Sequence, residues 1–304
     1  MSIVERALRR LQNSSQGRPP GSALLREPKP LRAPAAAAPA VADALVVGAA
    51  AAPVPRESLP ASIGSLRAAG VLALPEHAEV LADQFRRIKW PILESVMGKR
   101  DPDGHPANIV MVTSSVAGEG KTFTSMNLAL SIACEKDFSV LLVDADVAKR
   151  HSTRAFDVDD RTGLTEILGD ATRDPEELVL GTQIRGLTFL PAGKRQELAP
   201  ELFASQRMID VIRTLRGTDP RRIVLFDTSP LLATNESQVL AKVVDQIVLV
   251  VRAEVTTQPM VLESVNLLDR SKEIRCVLNQ AQGTELAEYY YGYGKSNLYE
   301  AQEG

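Results

Sequence analysis

A doubly wound α/β domain built on a mostly parallel sheet is the fold this sequence predicts, and three observations predict it. Six apolar, β-rich runs recur through the C-terminal two thirds of the chain. Helical stretches fall between most of them. The first run ends in a glycine-rich GxGKT loop that opens a helix. Continuous apolar runs are strands buried on both faces, as in a sheet covered by helices on each side. Their alternation with helices selects the α/β class.

The elements follow in order. Residues 1–12, MSIVERALRRLQ, have the pattern of a short amphipathic helix with Ile3, Val4, Ala7, Leu8 and Leu11 on one side. Glu5 and Arg9 stand at i,i+4 spacing, worth a few tenths of a kcal/mol at most. So short a helix needs a partner or a membrane surface to order it. From Met1 to Arg32 there are seven Arg or Lys and two Asp or Glu, so this arm is basic by five charges. Residues 13–70 are rich in Pro, Ala, Ser and Gly and read as mostly disordered linker. Within them APAAAAPAVADALVVGAAAAP (33–53) is apolar by count. Pro34, Pro39, Asp43, Pro53 and its alanines make it a linker rather than a membrane span. A helix is expected from Glu76 to Ile88, broken or kinked by Pro91, which also biases Trp90 away from helix. Strands are expected at 108–113, 139–145, 187–192, 222–228, 245–253 and 273–280. The resulting division is an arm and linker at 1–74, a folded α/β domain at 75–285 and a tail at 286–304.

Ligands in such folds sit at the C-terminal ends of the strands, and the motifs here fall at those ends. TSSVAGEGKTFTSMNLALSIA (113–133) follows the first strand. Gly118 and Gly120 let backbone N–H groups turn onto phosphate oxygens, and the helix starting near Lys121 adds its positive end. Lys121 neutralises the β and γ phosphates and the Thr122 hydroxyl ligates Mg²⁺. Ala117, Gly118, Glu119, Gly120, Lys121, Thr122 and Phe123 form the expected nucleotide-binding stretch. The strict pattern has glycine where this chain has Ser115; the strand–loop–helix context supplies what the departure removes. VLLVDAD places Asp144 and Asp146 after the second strand and IVLFDTSP places Asp227 after another. Carboxylates at this position hold Mg²⁺ directly or through water, and one can accept a proton from an attacking hydroxyl. The expected ligand is therefore ATP with Mg²⁺.

Composition bounds the alternatives. A formal net charge of −3 argues against a dedicated nucleic-acid binder. Two cysteines, Cys134 and Cys276, read as buried free thiols in a reducing cytosol. Residues 1–12 lack the continuous apolar stretch of a secretory signal.

With these residues in view, the chain resembles the bacterial tyrosine kinases of exopolysaccharide and capsule export, most of all the exosortase-associated tyrosine autokinase type. The resemblance covers about residues 75–304. It rests on SSVAGEGKT as Walker A, LLVDAD as the additional Walker A′ motif, VLFDTSP as Walker B, and a tyrosine-rich end. DQFRRIK resembles the family's Glu-x-x-Arg-x-x-Arg oligomerisation motif, with Asp83, Arg86 and Lys89 at the matching spacing. Departures are Ala117 for a proline, Ala148 for an arginine, and Asp83 and Lys89 for Glu and Arg. The partitioning and division-site ATPases resemble the same group, but their signature lysine would stand where this chain has Val116. They leave an alternative class open: an ATPase switch that assembles on a membrane without transferring phosphate to protein.

The resemblance implies a P-loop kinase in which Asp144 activates an incoming tyrosine hydroxyl, Asp146 and Asp227 position Mg²⁺, and Lys121 stabilises the transferred phosphoryl group. Asn279 is the expected adenine contact. Arg86 and Lys89 are expected to bind a neighbouring subunit. A separate integral-membrane activator is implied, with the basic arm at 1–32 as its contact and a cytoplasmic location at the inner membrane. The end of the chain then gains a meaning. Tyr289, Tyr290, Tyr291, Tyr293 and Tyr299 are all the tyrosines present, and all lie in the last 16 residues. Tyrosine ordinarily serves cores and interfaces. Clustered among glycines, these read as phosphate acceptors. Each phosphate adds about −1.5 to −2 charges, so several would drive neighbouring tails apart.

Overall fold

The computed structural model describes Leu59 and residues 62–100 and 104–281. The expected arm, most of the linker and the tyrosine cluster lie outside the described residues. Seven strands form one sheet: β1 (Ile109–Ser114), β2 (Ser139–Ala145), β3 (Leu180–Gly181), β4 (Leu187–Leu190), β5 (Arg222–Thr228), β6 (Gln246–Arg252) and β7 (Glu273–Asn279), in the order β3-β4-β2-β5-β1-β6-β7. All neighbours run parallel except β3, which lies antiparallel to β4. The helices are α1 (Ile63–Ala68), α2 (Ala78–Gly98), α3 (Lys121–Ala133), α4 (His151–Ala155), α5 (Leu164–Gly169), α6 (Ala199–Phe203), α7 (Gln206–Arg216), α8 (Asn235–Val243) and α9 (Gln258–Asn266).

Strand β1 explains why the runs are apolar without alternation. Val110 and Val112 enter a core shared with Phe85 and Ile92 of α2 and Met126 and Leu128 of α3. Ile109 and Met111 enter a second core with Leu168, Phe203, Val211 and Leu240 of α5, α6, α7 and α8. The two-residue period is intact, but both faces are covered, so Ile109 to Val112 are all apolar. The same topology makes the crevice. From β1 the chain crosses past β5 to reach β2, whereas it later returns to β6 on the other side of β1. Connections leaving in opposite directions open a gap at the C-terminal end of β1.

Three expectations are corrected. Helix α2 runs through Pro91 to Gly98, and Trp90 is helical with 65% of its surface exposed. Helix-interior proline costs about 3 kcal/mol, but burying a Val, Leu or Ile contributes about 1.5–3 kcal/mol. Ile92, Leu93 and Val96, all beyond the proline, are buried, so packing wins. The Pro91 carbonyl also accepts from Ser95 Oγ (3.0 Å) and Arg275 Nη2 (2.9 Å). Second, residues 62–74 join the domain rather than the linker. Ser62 and Ser65 cap α1 reciprocally, Leu66 and Leu72 are buried, and Asn127 Nδ2 donates to the Val71 carbonyl at 3.0 Å. Third, Cys134 and Cys276 are free but exposed. Cys276 lies on β7, the last strand of the sheet, and Cys134 directly follows α3. Neither position is covered on all sides as an interior strand would be. The short strand β3 had no apolar run to announce it.

Candidate active site

The loop between β1 and α3 is shaped by two glycines in the left-handed region, Gly118 (φ 84°) and Gly120 (φ 90°), where a side chain is strained. A Cβ on Gly120 would meet Asn279 Nδ2 at 2.1 Å, whereas the space beside Gly118 is open. Helix α3 begins at Lys121 with no side-chain cap, so its first N–H groups are left for an anion. Ser115 Oγ is buried without a hydrogen-bond partner among the described residues. An open left-handed glycine, an uncapped 13-residue helix and an orphaned hydroxyl fit a phosphate chain.

Two loop residues have roles the sequence did not announce. Glu119 is buried; its Oε2 accepts from Val116 N (2.6 Å) and its Oε1 accepts from Arg252 N (3.3 Å) and the Thr256 hydroxyl. It closes the loop and fastens it to the end of β6. Asn279 donates from Nδ2 to the Glu119 carbonyl at 2.8 Å, so the residue expected at adenine holds the loop backbone. Phe123 packs against the core and its ring lies 6.4 Å from that of Phe85.

The acids sit beside the loop because β2 and β5 are neighbours, with Asp144 opposite Asp227 in register. Both are fully buried. Asp144 Oδ2 accepts from Thr153 N (2.8 Å) and Thr153 Oγ1 (2.7 Å), and its Oδ1 accepts from Asp146 N (3.1 Å). Asp227 accepts from Ser125 Oγ at 3.0 Å and Ser152 Oγ at 2.7 Å. Burial pushes Asp144 up to about 8; the charge of Asp227 adds to this and the Thr153 bonds oppose it. Burial likewise raises Asp227, against the Ser152 bond, the charge of Lys121 and the hydroxyls of Thr122 and Ser125. Lys121 is 7% exposed. Burial lowers its pKa while the charges of Asp227 and Asp146 hold it up. Asp146 is buried and its carboxylate accepts from Lys149 N at 3.2 Å.

Ser125, Ser152 and Thr153 are the functional side chains sequence reasoning missed. Their only signal is three hydroxyls in helices next to the motifs. Among the described residues no group of three or more His, Cys, Asp or Glu converges as a metal cage. Thr122, Asp144, Asp146 and Asp227, the expected Mg²⁺ donors, lie at this end of the sheet without forming a closed cage. Arg150, near the position of the departed arginine, is committed to Gly193 O (3.1 Å) and Asp159 (3.1 Å).

The expected oligomerisation residues divide. Asp83 and Arg86 are exposed and paired with each other along α2. Lys89 is only 4% exposed, donates to the Ser131 carbonyl at 2.7 Å and pairs with Glu135 at 2.6 Å. The turn of α2 that carries it faces α3, so it is consumed within the chain and is corrected from the subunit contact. Tyr289, Tyr290, Tyr291, Tyr293 and Tyr299 lie outside the described residues. No helix among the described residues is long and apolar enough to cross a membrane.

Comparison with known proteins adds the following. Residues 107–280 match the AAA domain family. The chain is 34% identical over 189 residues to EpsB of Ralstonia nicotianae, covering 62% of this chain and 24% of that protein. It thus spans about a quarter of such longer relatives. It is 29% identical over 232 residues to tyrosine-protein kinase YwqD of Bacillus subtilis, covering 75% of this chain and 94% of that one. Among solved structures, the kinase domain of Escherichia coli tyrosine kinase ETK superposes with a TM-score of 0.56 at 25% identity, covering 67% of this chain and 78% of that one.

Proposed function

Since the chain belongs to the AAA domain family, in its P-loop branch shared with bacterial tyrosine kinases, we propose that it is an ATP-dependent protein-tyrosine autokinase of exopolysaccharide or capsule synthesis, of the exosortase-associated type. Its kinase domain is residues 75–285, joined by the segment from Leu59. Its acceptors are Tyr289, Tyr290, Tyr291, Tyr293 and Tyr299 in the tail (286–304) of a neighbouring copy. The observation that carries the reading is the closeness of Lys121 to two buried aspartates, Asp227 on β5 and Asp146 just after the neighbouring β2, beside a phosphate loop, in a chain that keeps all its tyrosines in its last 16 residues.

The residues divide the work. The backbone from Ala117 to Phe123 holds the phosphates. Lys121 stabilises charge on the transferred group; dry surroundings strengthen that interaction. Mg²⁺, when bound, would supply positive charge against the phosphate oxygens. Asp146 and Asp227, with Thr122, would hold that ion. Asp144 takes the proton of the incoming tyrosine hydroxyl, and the hydroxyl and N–H of Thr153 keep its carboxylate aimed. Asn279 and Glu119 keep the loop rigid. The whole works at the inner membrane through an integral-membrane partner of the co-polymerase class, which the basic arm at 1–32 contacts. Asp83 and Arg86 bind the next subunit.

Phosphopeptide mass spectrometry of the tail, from protein recovered from its own cells, tests this. Phosphate on several tail tyrosines, lost in Lys121→Met, is the expected result. An unmodified tail during active polysaccharide export would replace the kinase with an ATPase switch, since ATP hydrolysis is common to both.

A further inference from the structure

Beside Thr122 lies a cavity of about 340 Å³ lined by Ala69, Val71, Thr122, His151, Arg154 and Ala155. One wall is the threonine of the phosphate loop. Another part of the lining comes from α4, whose Ser152 and Thr153 hold Asp227 and Asp144 from the same short helix. The apolar side is Ala69 and Val71, from the segment the sequence assigned to linker. The volume is at the small end of ligand pockets, suited to one side chain rather than a cofactor. It offers an apolar wall for a ring, the exposed His151 and Arg154, and one residue of the phosphate loop, Thr122. Arg154 is half exposed and its pairing with Asp159 is loose at 3.8 Å, while Arg150 holds the same carboxylate at 3.1 Å.

We propose that this cavity seats the acceptor tyrosine ring, and that Arg154 selects tyrosines carrying a carboxylate next to them in sequence. This rests on the kinase reading above and adds an order to the acceptors. The segment 282–304 contains Glu285, Glu288, Glu300 and Glu303 against Lys295, so it is acidic where the rim is basic. Glu288 adjoins Tyr289 and Glu300 adjoins Tyr299, while Tyr291 and Tyr293 have only tyrosine and glycine neighbours. Tyr289 and Tyr299 are therefore the preferred acceptors. Arg154 is a specificity residue: it touches the segment around the reacting ring and leaves the phosphates to Lys121.

Full-length protein, with membranes from its own cells, is given Mg-ATP and a synthetic peptide of residues 284–304, and phosphate is counted at each tyrosine. In the native protein Tyr289 and Tyr299 exceed Tyr291 and Tyr293. In Arg154→Glu that ratio falls about fivefold, the scale of one solvent-exposed ion pair, through a raised KM for the peptide with kcat unchanged. A peptide carrying Glu288→Lys and Glu300→Lys recovers the preference with Arg154→Glu and loses it with native protein. Binding of a fluorescent ATP analogue controls for folding; if Arg154→Glu fails it, Arg154→Gln with the native peptide and with its Glu288→Gln, Glu300→Gln form gives the same comparison. Equal loss at all five tyrosines, or an unchanged ratio, overturns the selection. No phosphate on any tyrosine with native protein overturns the kinase reading itself.

Discussion

Two lysines are buried at opposite ends of helix α3, and they have opposite fates. Lys89 reaches from α2 to the C-terminal turn of α3, where the Ser131 carbonyl and Glu135 satisfy it. Lys121 opens the same helix among aspartates whose oxygens are already held by Ser125, Ser152 and Thr153, so it feels Asp227 and Asp146 through space. One buried charge is spent on joining two helices. The other is kept poor in partners, at a cost in solvation, so that an anion can supply what is lacking. A buried lysine thus marks a function when its nearest acids are bound to something else.

Removing each lysine breaks the comparison most directly. Lys121→Met should reduce phosphate transfer by about 10²–10³-fold, as for loss of one charge-stabilising donor. Its melting temperature without nucleotide should not fall, because a desolvated charge has been removed. A lower melting temperature would mean that Lys121 is structural.

The acids beside Lys121 sharpen it next. Asp144 is raised to about 8 in the folded chain from an ordinary value near 3.8. The sign is that of a folded state that binds a proton more tightly. The associated stability is complete below about pH 4 and is lost as pH rises through about 8, with a slope of at most about 1.4 kcal/mol per pH unit. Urea unfolding of nucleotide-free protein from pH 5 to 9 should show this decline, and Asp144→Asn should flatten it. Mg-ATP should restore stability at the alkaline end, where the pair is most repulsive.

Lys89→Met should cost about 1.5–3 kcal/mol, the scale of hydrogen bonds to a charged group, read as a lower urea midpoint with unchanged affinity for an ATP analogue. The smallest effect belongs to Arg86, one turn away and exposed. Arg86→Ala should change stability by less than about 0.5 kcal/mol while shifting assembly toward monomer in sedimentation velocity. A loss of stability equal to that of Lys89→Met would place Arg86 in the protomer's own packing.

What the sequence made legible follows from where the determining forces act. β1, β2, β5 and β6 are written in apolar runs because both sheet faces are covered, and the phosphate loop is written in Gly118, Gly120 and Lys121 because backbone geometry and charge leave few substitutes. Pro91 misled because its local cost is outweighed by Ile92, Leu93 and Val96, whose burial depends on α3. Ser152 and Thr153 were silent because only the placement of β5 beside β2 brings two acids to one short helix. Asn279 was singled out for its position, but its bond runs to the loop backbone, a contact no spacing reveals. Lys89 matched a motif by spacing while the turn of α2 that carries it faces inward.

The bond from Asn279 to the Glu119 carbonyl has a mechanical consequence. Asn279 ends β7, two residues before Ala281, and Glu119 is itself fastened to the end of β6. Asn279 thus joins the end of β7 to the backbone between Gly118 and Gly120. The end of β7 is in this sense a lanyard tied to the phosphate loop, so that a displacement of this last strand is delivered within one hydrogen bond of the nucleotide-binding loop.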